Sequence, residues 1–439
     1  MNEIKLQNFR CYSDLTITFK SGINLLIGDN ATGKTSILLA CKYVLSAFFS
    51  GFSDENTKWM SPGNEDFRIR SSEGILLPEL PIHIQFQASD IIEYPELHQQ
   101  TALFESSTLY TLTKNSKKNS RALTTGIREY KNYATWLMTE SFTESGQQMA
   151  LPLFASFSTE DIHASRKIDA SRFKIYNHKA SFGYYECLEG NGFFPYWLKR
   201  LLILQEGREN HPEITIVRNA IRKALGPEGC NIISDMQVRP NQRKVYYIFL
   251  DGREIEADYL SDGYRRLVNI VTDLAFRCAL LNRGIYGEDA CALTRGSVLI
   301  DEADLHLHPS LQAVVLKGLR NAFPRLQFIV SSHAPMLMSC VETSDENIVY
   351  KLSYSPEDGY GIVPVSTYGM DLSTLTDVIL GQVPRATEVD QNLSHLFHLI
   401  DESNYDEAAE LLQQMRSRHG ENLPELTQAE AMLNCVIPE

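Results

Sequence analysis

Residues 28 to 36 read Gly-Asp-Asn-Ala-Thr-Gly-Lys-Thr-Ser, and no other stretch narrows the choice of fold so far. An apolar run (Ile23, Leu25, Leu26, Ile27) precedes it, and a helical run from Ile37 to Val44 follows. The G-x-x-x-x-G-K-[ST] pattern needs that strand–loop–helix setting. Glycines let the backbone wrap phosphates, while successive N–H groups and the helix N-terminus supply positive potential. Lys34 can reach the β- and γ-phosphates, and the Thr35 hydroxyl can ligate Mg²⁺. An α/β fold with a nucleoside triphosphate site is therefore expected.

Composition sets outer limits. A length of 439 residues allows two to four domains. The chain has 41 basic and 55 acidic side chains, a balance of −14, so any nucleic-acid contact needs a local basic patch. Lys114, Lys117, Lys118 and Arg121 form one such spot in the sequence. The eight cysteines are scattered without a C-x-x-C pair, which fits reduced thiols in a cytoplasmic setting. No signal-peptide apolar region opens the chain, and no apolar run reaches the roughly 18 residues of a membrane span.

Three further segments can carry chemistry. Val298-Leu-Ile-Asp301-Glu302 is a short buried strand ending in two carboxylates. Asp301 would hold Mg²⁺ and its waters, and Glu302 would polarise an attacking water. Leu260-Ser-Asp-Gly-Tyr-Arg-Arg266 opens a long apolar helix, where Ser261 and the backbone at Gly263 can form an anion site. Ser331-Ser-His333 follows the apolar strand Phe328–Val330, placing a histidine where a γ-phosphate would lie.

In this order, phosphate loop, Leu-Ser-Asp-Gly helix, Asp-Glu strand and His strand resemble ABC-type ATPases. The wording is similar to the SMC-, RecF- and OLD-like branch: Leu6-Gln-Asn-Phe-Arg10, Gly28 to Ser36, Leu260 to Arg266, Asp301-Glu-Ala-Asp-Leu-His-Leu-His-Pro309, and Ser332-His-Ala-Pro335. The resemblance implies ATP and Mg²⁺ as ligands. It implies that Asn30, Gly33, Lys34, Thr35 and Ser36 bind nucleotide, with Arg10 beside the phosphates or adenine. Ser261 and Gly263 would touch the nucleotide held by a second copy. Thr35, Asp301 and a glutamine, for which Gln85 and Gln87 are candidates, would serve Mg²⁺. Glu302 and His333 would be catalytic. One phosphate loop and one signature per chain imply a head-to-tail homodimer or a higher oligomer.

About 225 residues separate Ser36 from Ser261 without sustained heptads, which argues against a long coiled-coil insertion. Residues 1–88 and 241–365 are expected to form the ATPase lobes, with a mostly helical insertion with some strands over 89–240, among them a buried strand over 150–158; the polar 50–75 stretch reads as loop. A helical tail over 366–439 suits partner docking. Asp401-Glu402 and Asp406-Glu407 in that tail read as a solvated helix face, so no nuclease site is expected. At this level the chain resembles PtuA ATPases of Septu and related retron anti-phage systems, in which a separate HNH nuclease, PtuB, cuts DNA. The alternative is a RecF- or SMC-like DNA-binding ATPase of DNA repair.

Overall fold

The computed structural model describes residues 1–439 except 73–74, 94–100, 106–108, 119–121, 144–145, 148, 160–178, 191–192, 208–210, 382–385, 421–422 and 437–439. Two compact units result, Met1–Met370 and Asp371–Glu439.

The first unit runs through β1 (Glu3–Phe9), β2 (Tyr12–Thr18), β3 (Ile23–Ile27), α1 (Lys34–Ala47), β4 (Ile82–Gln87), β5 (Tyr110–Lys114), α2 (Arg128–Ser141) and β6 (Leu153–Phe157). It continues through α3 (Phe194–Gly207), α4 (Pro212–Leu225), β7 (Ile233–Arg239), β8 (Lys244–Phe249), β9 (Glu254–Glu256), α5 (Asp262–Tyr286) and β10 (Gly296–Ile300). It closes with α6 (Val315–Ala322), β11 (Leu326–Ser331), β12 (Ile348–Ser355) and β13 (Gly359–Val365). The central sheet has the order β6-β10-β11-β3-β12-β13. All neighbours are parallel except the terminal β12–β13 hairpin. Every residue of β3 and β11 is buried, as a parallel strand covered on both faces requires. A second sheet, β2-β1-β4-β5, is antiparallel. Its alternation is the half-buried kind: Ile82, Ile84 and Phe86 face inward and the residues between them do not.

The 89–240 stretch combines helices with strands. β5 pairs with β4 and so extends the antiparallel sheet, and β6 forms the edge of the central sheet. The 50–75 stretch, read as loop, also contains the strand Ile69–Ser72, paired with Ile75–Pro78. The basic spot is smaller than the sequence suggests. Lys114 falls on the inward side of β5 with Tyr110 and Leu112. Its Nζ donates to the Pro62 carbonyl at 2.7 Å and sits 5.7 Å from the Phe67 ring centre. Lys117 and Lys118 are exposed, and Arg121 lies outside the described residues.

α5 is the longest helix among the described residues, and its middle is buried on all sides. Two charged residues there, Asp273 and Arg277, pair with each other, as buried charge must. The Asp273 carboxylate accepts from the Trp197 indole N–H and from Arg277 Nε, both at 2.6 Å. Arg277 also donates to the Gly183 carbonyl at 2.7 Å. Trp197 stacks on Phe276 with ring centres 4.7 Å apart.

The second unit contains α7 (Thr387–Asp401), α8 (Tyr405–His419) and α9 (Pro424–Val436). Leu393, Leu396, Leu399, Ala408, Leu412, Met415, Leu426, Ala429 and Leu433 form its core at helical spacing. Asp401, Glu402, Asp406 and Glu407 are exposed. No helix among the described residues is long and apolar enough to cross a membrane.

Candidate nucleotide site

The phosphate loop leaves β3 at its carboxyl end and turns into α1. Three positive-φ residues make the turn: Gly28 (143°), Ala31 (64°) and Gly33 (96°). Gly33 is the N-cap of α1, and it is also sterically committed. A Cβ there would lie 2.3 Å from the Tyr12 hydroxyl. Ala31 holds its left-handed conformation as an L-residue, at a cost of about 1 kcal/mol.

A cavity of about 320 Å³ opens at this loop. Asn30, Gly33, Lys34, Thr35 and Ser36 line it from the loop, Asp301 and Glu302 from the end of β10, and His333 from the end of β11. Three sequence segments thus meet where the parallel strands end, the usual ligand edge of an open α/β sheet. Lys34 Nζ donates to the Gly28 and Asp29 carbonyls at 2.8 and 2.7 Å. Its ammonium is held across the loop it would share with a phosphate. Burial pulls Lys34 down to about 8, against the opposing pull of Asp301, Asp29, Glu302 and Asp304.

The Thr35 hydroxyl donates to Asp301 Oδ2 at 3.2 Å. These two hard oxygens would hold a Mg²⁺ ion, which would offset the negative charge of the phosphates. The other Asp301 oxygen accepts from the Ser331 hydroxyl at 2.5 Å. The same Ser331 oxygen accepts the Glu302 N–H at 2.8 Å. One hydroxyl therefore sets both carboxylate residues, and Glu302 takes a left-handed φ of 49°. Asp304 performs the matching task for the histidine strand. Its Oδ1 accepts from the Ser332 hydroxyl at 2.6 Å and the His333 N–H at 3.3 Å.

Ser331 and Asp304 escaped sequence reasoning, although both lie inside or beside quoted motifs. Cys11, which also lines the cavity, carried no sequence signal. Arg10 and Gln85 are not brought to the cavity. Arg10 Nε donates to the buried carboxylate of Asp66 at 2.7 Å, and its own N–H bonds the Asp66 carbonyl. Gln85 sits inside β4, paired with Lys5 and Thr111, and is not part of the lining; nor is Gln87 at the strand's end.

Ser261 and Gly263 also stay outside the lining. Ser261 is the exposed N-cap of α5 and makes no side-chain cap bond. Gly263 is packed so closely that a Cβ would lie 2.4 Å from the His306 carbonyl oxygen. The start of α5 is tied to the carboxylate strand, since Arg266 Nη2 donates to the Asp301 carbonyl at 2.6 Å.

The profile of the family described as an AAA domain matches residues 3–224, half of the chain. The chain belongs to the AAA domain family. It is a P-loop ATPase, with ATP and Mg²⁺ as its ligands. Among curated relatives, the "Retron Vc95 probable ATPase" of Vibrio cholerae is 23% identical, covering 81% of this chain and 74% of that one. The Septu protein PtuA of Bacillus thuringiensis is 20% identical over 79% of this chain and 74% of its own. RecF of Limosilactobacillus reuteri is 34% identical over 20% of this chain and 23% of its own. Among solved structures, the SMC head domain from Thermotoga maritima aligns over 83% of this chain and 98% of its own, with 12% identity and a TM-score of 0.37. This AAA ATPase is thus related to defence-associated and DNA-repair ATPases.

Proposed function

We propose that this AAA ATPase works on DNA as a nucleotide-gated pair. Two copies engage head to tail, each laying Ser261 and Gly263 against the triphosphate in the other's phosphate loop. The observation that carries this is the division of parts. Lys34, Thr35, Asp301, Glu302 and His333 share one cavity, while Ser261 caps α5 outside it with its hydroxyl exposed. In the engaged site Lys34 and the loop N–H groups hold the phosphates, Asp301 and Thr35 hold Mg²⁺, and Glu302 orients the attacking water. His333 reads the γ-phosphate. ATP binds the engaged state better than the open one, so it shifts the population, and hydrolysis releases it.

Two finer readings share this core. In one, the pair holds DNA itself, as a repair ATPase would; the RecF segment, at higher identity than the longer matches, favours it. In the other, the pair's nucleotide state controls an HNH nuclease of a Septu- or retron-like system. The relatives that span most of the chain favour that reading. So does charge, because residues 371–439 carry 13 acidic against 3 basic side chains and would repel DNA but suit a basic protein.

Light scattering on the full chain tests the core. Glu302→Gln with ATP should be dimeric, and the Glu302→Gln, Ser261→Arg double variant monomeric. A monomer in both would end the head-to-tail reading. DNA binding by the ATP-loaded Glu302→Gln dimer alone would select the repair reading. Nucleotide-dependent DNA cutting only with a co-purified nuclease would select the other.

A further inference from the structure

We propose that Tyr354 and Tyr360 form the platform on which the base of the bound nucleotide stacks. The inference rests on the triphosphate site described above, and begins with the register of β12. That strand pairs with β3 from Ile348 opposite Asn24 to Lys351 opposite Ile27, the last residue before the phosphate loop. β12 then runs on through Leu352–Ser355, where its remaining strand partner is β13. The β12–β13 hairpin therefore overhangs the carboxyl end of the sheet beside the loop. Its backbone is close, since a Cβ on Gly28 would fall 2.3 Å from the Leu352 carbonyl oxygen.

Tyr354 and Tyr360 are direct partners across this overhang, with ring centres 4.7 Å apart and planes inclined by 46°. Tyr360 also meets the Tyr12 ring, edge-on at 5.7 Å. Tyr12 is buried and its hydroxyl donates to the Thr32 carbonyl of the phosphate loop at 3.3 Å. The preceding residue, Cys11, lines the cavity. Burial, followed by the nearby Cys11 thiol and Tyr354 hydroxyl, raises the Tyr360 phenol. A continuous path thus leads from the phosphate cavity through Cys11 and Tyr12 to the tyrosine pair. Tyr12 packs edge-on against Tyr360, and Tyr354 is 56% exposed, leaving its ring open to a ligand. Every base has a π-face, so a ring at this place adds affinity without reading hydrogen-bond pattern.

The test is calorimetric titration of the full chain with Mg²⁺, comparing ATP with inorganic tripolyphosphate, which has no base. Tyr354→Ala should weaken ATP by about 5- to 20-fold, in line with base–aromatic stacking, and leave tripolyphosphate within about twofold. Tyr354→Trp should retain ATP affinity. Unchanged ATP binding in Tyr354→Ala, or equal weakening of both ligands, would overturn the platform. Lys34→Ala tests the underlying site separately: it should weaken both ligands, and if it weakens neither, the phosphate-site reading itself falls.

Discussion

Lys34 gives this ATPase a pH dependence whose sign and size follow from its surroundings. Burial holds the ammonium at about 8 instead of 10.5, even with four carboxylates pulling the other way. Only the charged lysine can share a proton-rich grip on the phosphates, and bound phosphate charge raises its pKa again. Nucleotide binding must therefore take up a proton above pH 8. A group at about 8 is about nine-tenths charged at pH 7 and about one-tenth at pH 9, so ATP affinity should fall about tenfold between them. Calorimetry on Glu302→Gln, in buffers of different ionisation enthalpy, measures both the affinity and the proton uptake. Lys34→Arg keeps its charge throughout this range, so its affinity, though weaker, should be flat. The empty protein should behave in the opposite way. Its unfolded chain holds the extra proton between about 8 and 10.5, so its stability should rise with pH across that window. An affinity that is as flat with Lys34 intact as with Lys34→Arg, both in the Glu302→Gln background, would refute the argument.

Glu302→Gln should slow phosphate release by about 10²–10⁴-fold, the usual worth of a general base, while ATP affinity by calorimetry stays within a few-fold. Gly263→Ala should cost about 1–3 kcal/mol in urea unfolding, because its Cβ meets the His306 carbonyl rather than a flexible side chain; wild-type stability would mean that α5 and the 301–309 turn separate freely. Asp273→Ala should cost about 3–5 kcal/mol, since it strips the buried Arg277 of its carboxylate. Trp197→Phe removes a single hydrogen bond to that carboxylate and should cost about half as much by the same denaturation assay.

What the sequence made legible was local. The phosphate loop, the Asp301-Glu302 strand and the His333 strand each announce themselves within about ten residues, and the structure brings all three to one cavity. Contacts made across the chain were not legible in the same way. Arg10 is captured by Asp66, 56 residues away, through a positive-φ turn at Arg10 that no motif encodes. Lys114 is a subtler case, because its charge suggested a surface while its period-2 spacing from Tyr110 and Leu112 put it inside. The pattern is the better guide there: a long lysine stem can fill a buried position when a carbonyl waits at its tip, and the Pro62 carbonyl does.

The β12–β13 hairpin shows the same priority from the opposite side. Asp358-Gly359, with Gly359 at a φ of 74°, is a hairpin turn signal between Tyr354 and Tyr360. The strand before it carries no period-2 signal, since Val349, Tyr350 and Leu352 are all buried. Its consequence is functional rather than architectural. A strand that merely completed the sheet could stop where β3 stops, at Lys351 opposite Ile27. This one continues past the phosphate loop and spends its extra residues on a tyrosine, which apolar burial alone would not place in water. An exposed aromatic at the ligand edge of a sheet is better explained by what it can stack on than by what it packs against.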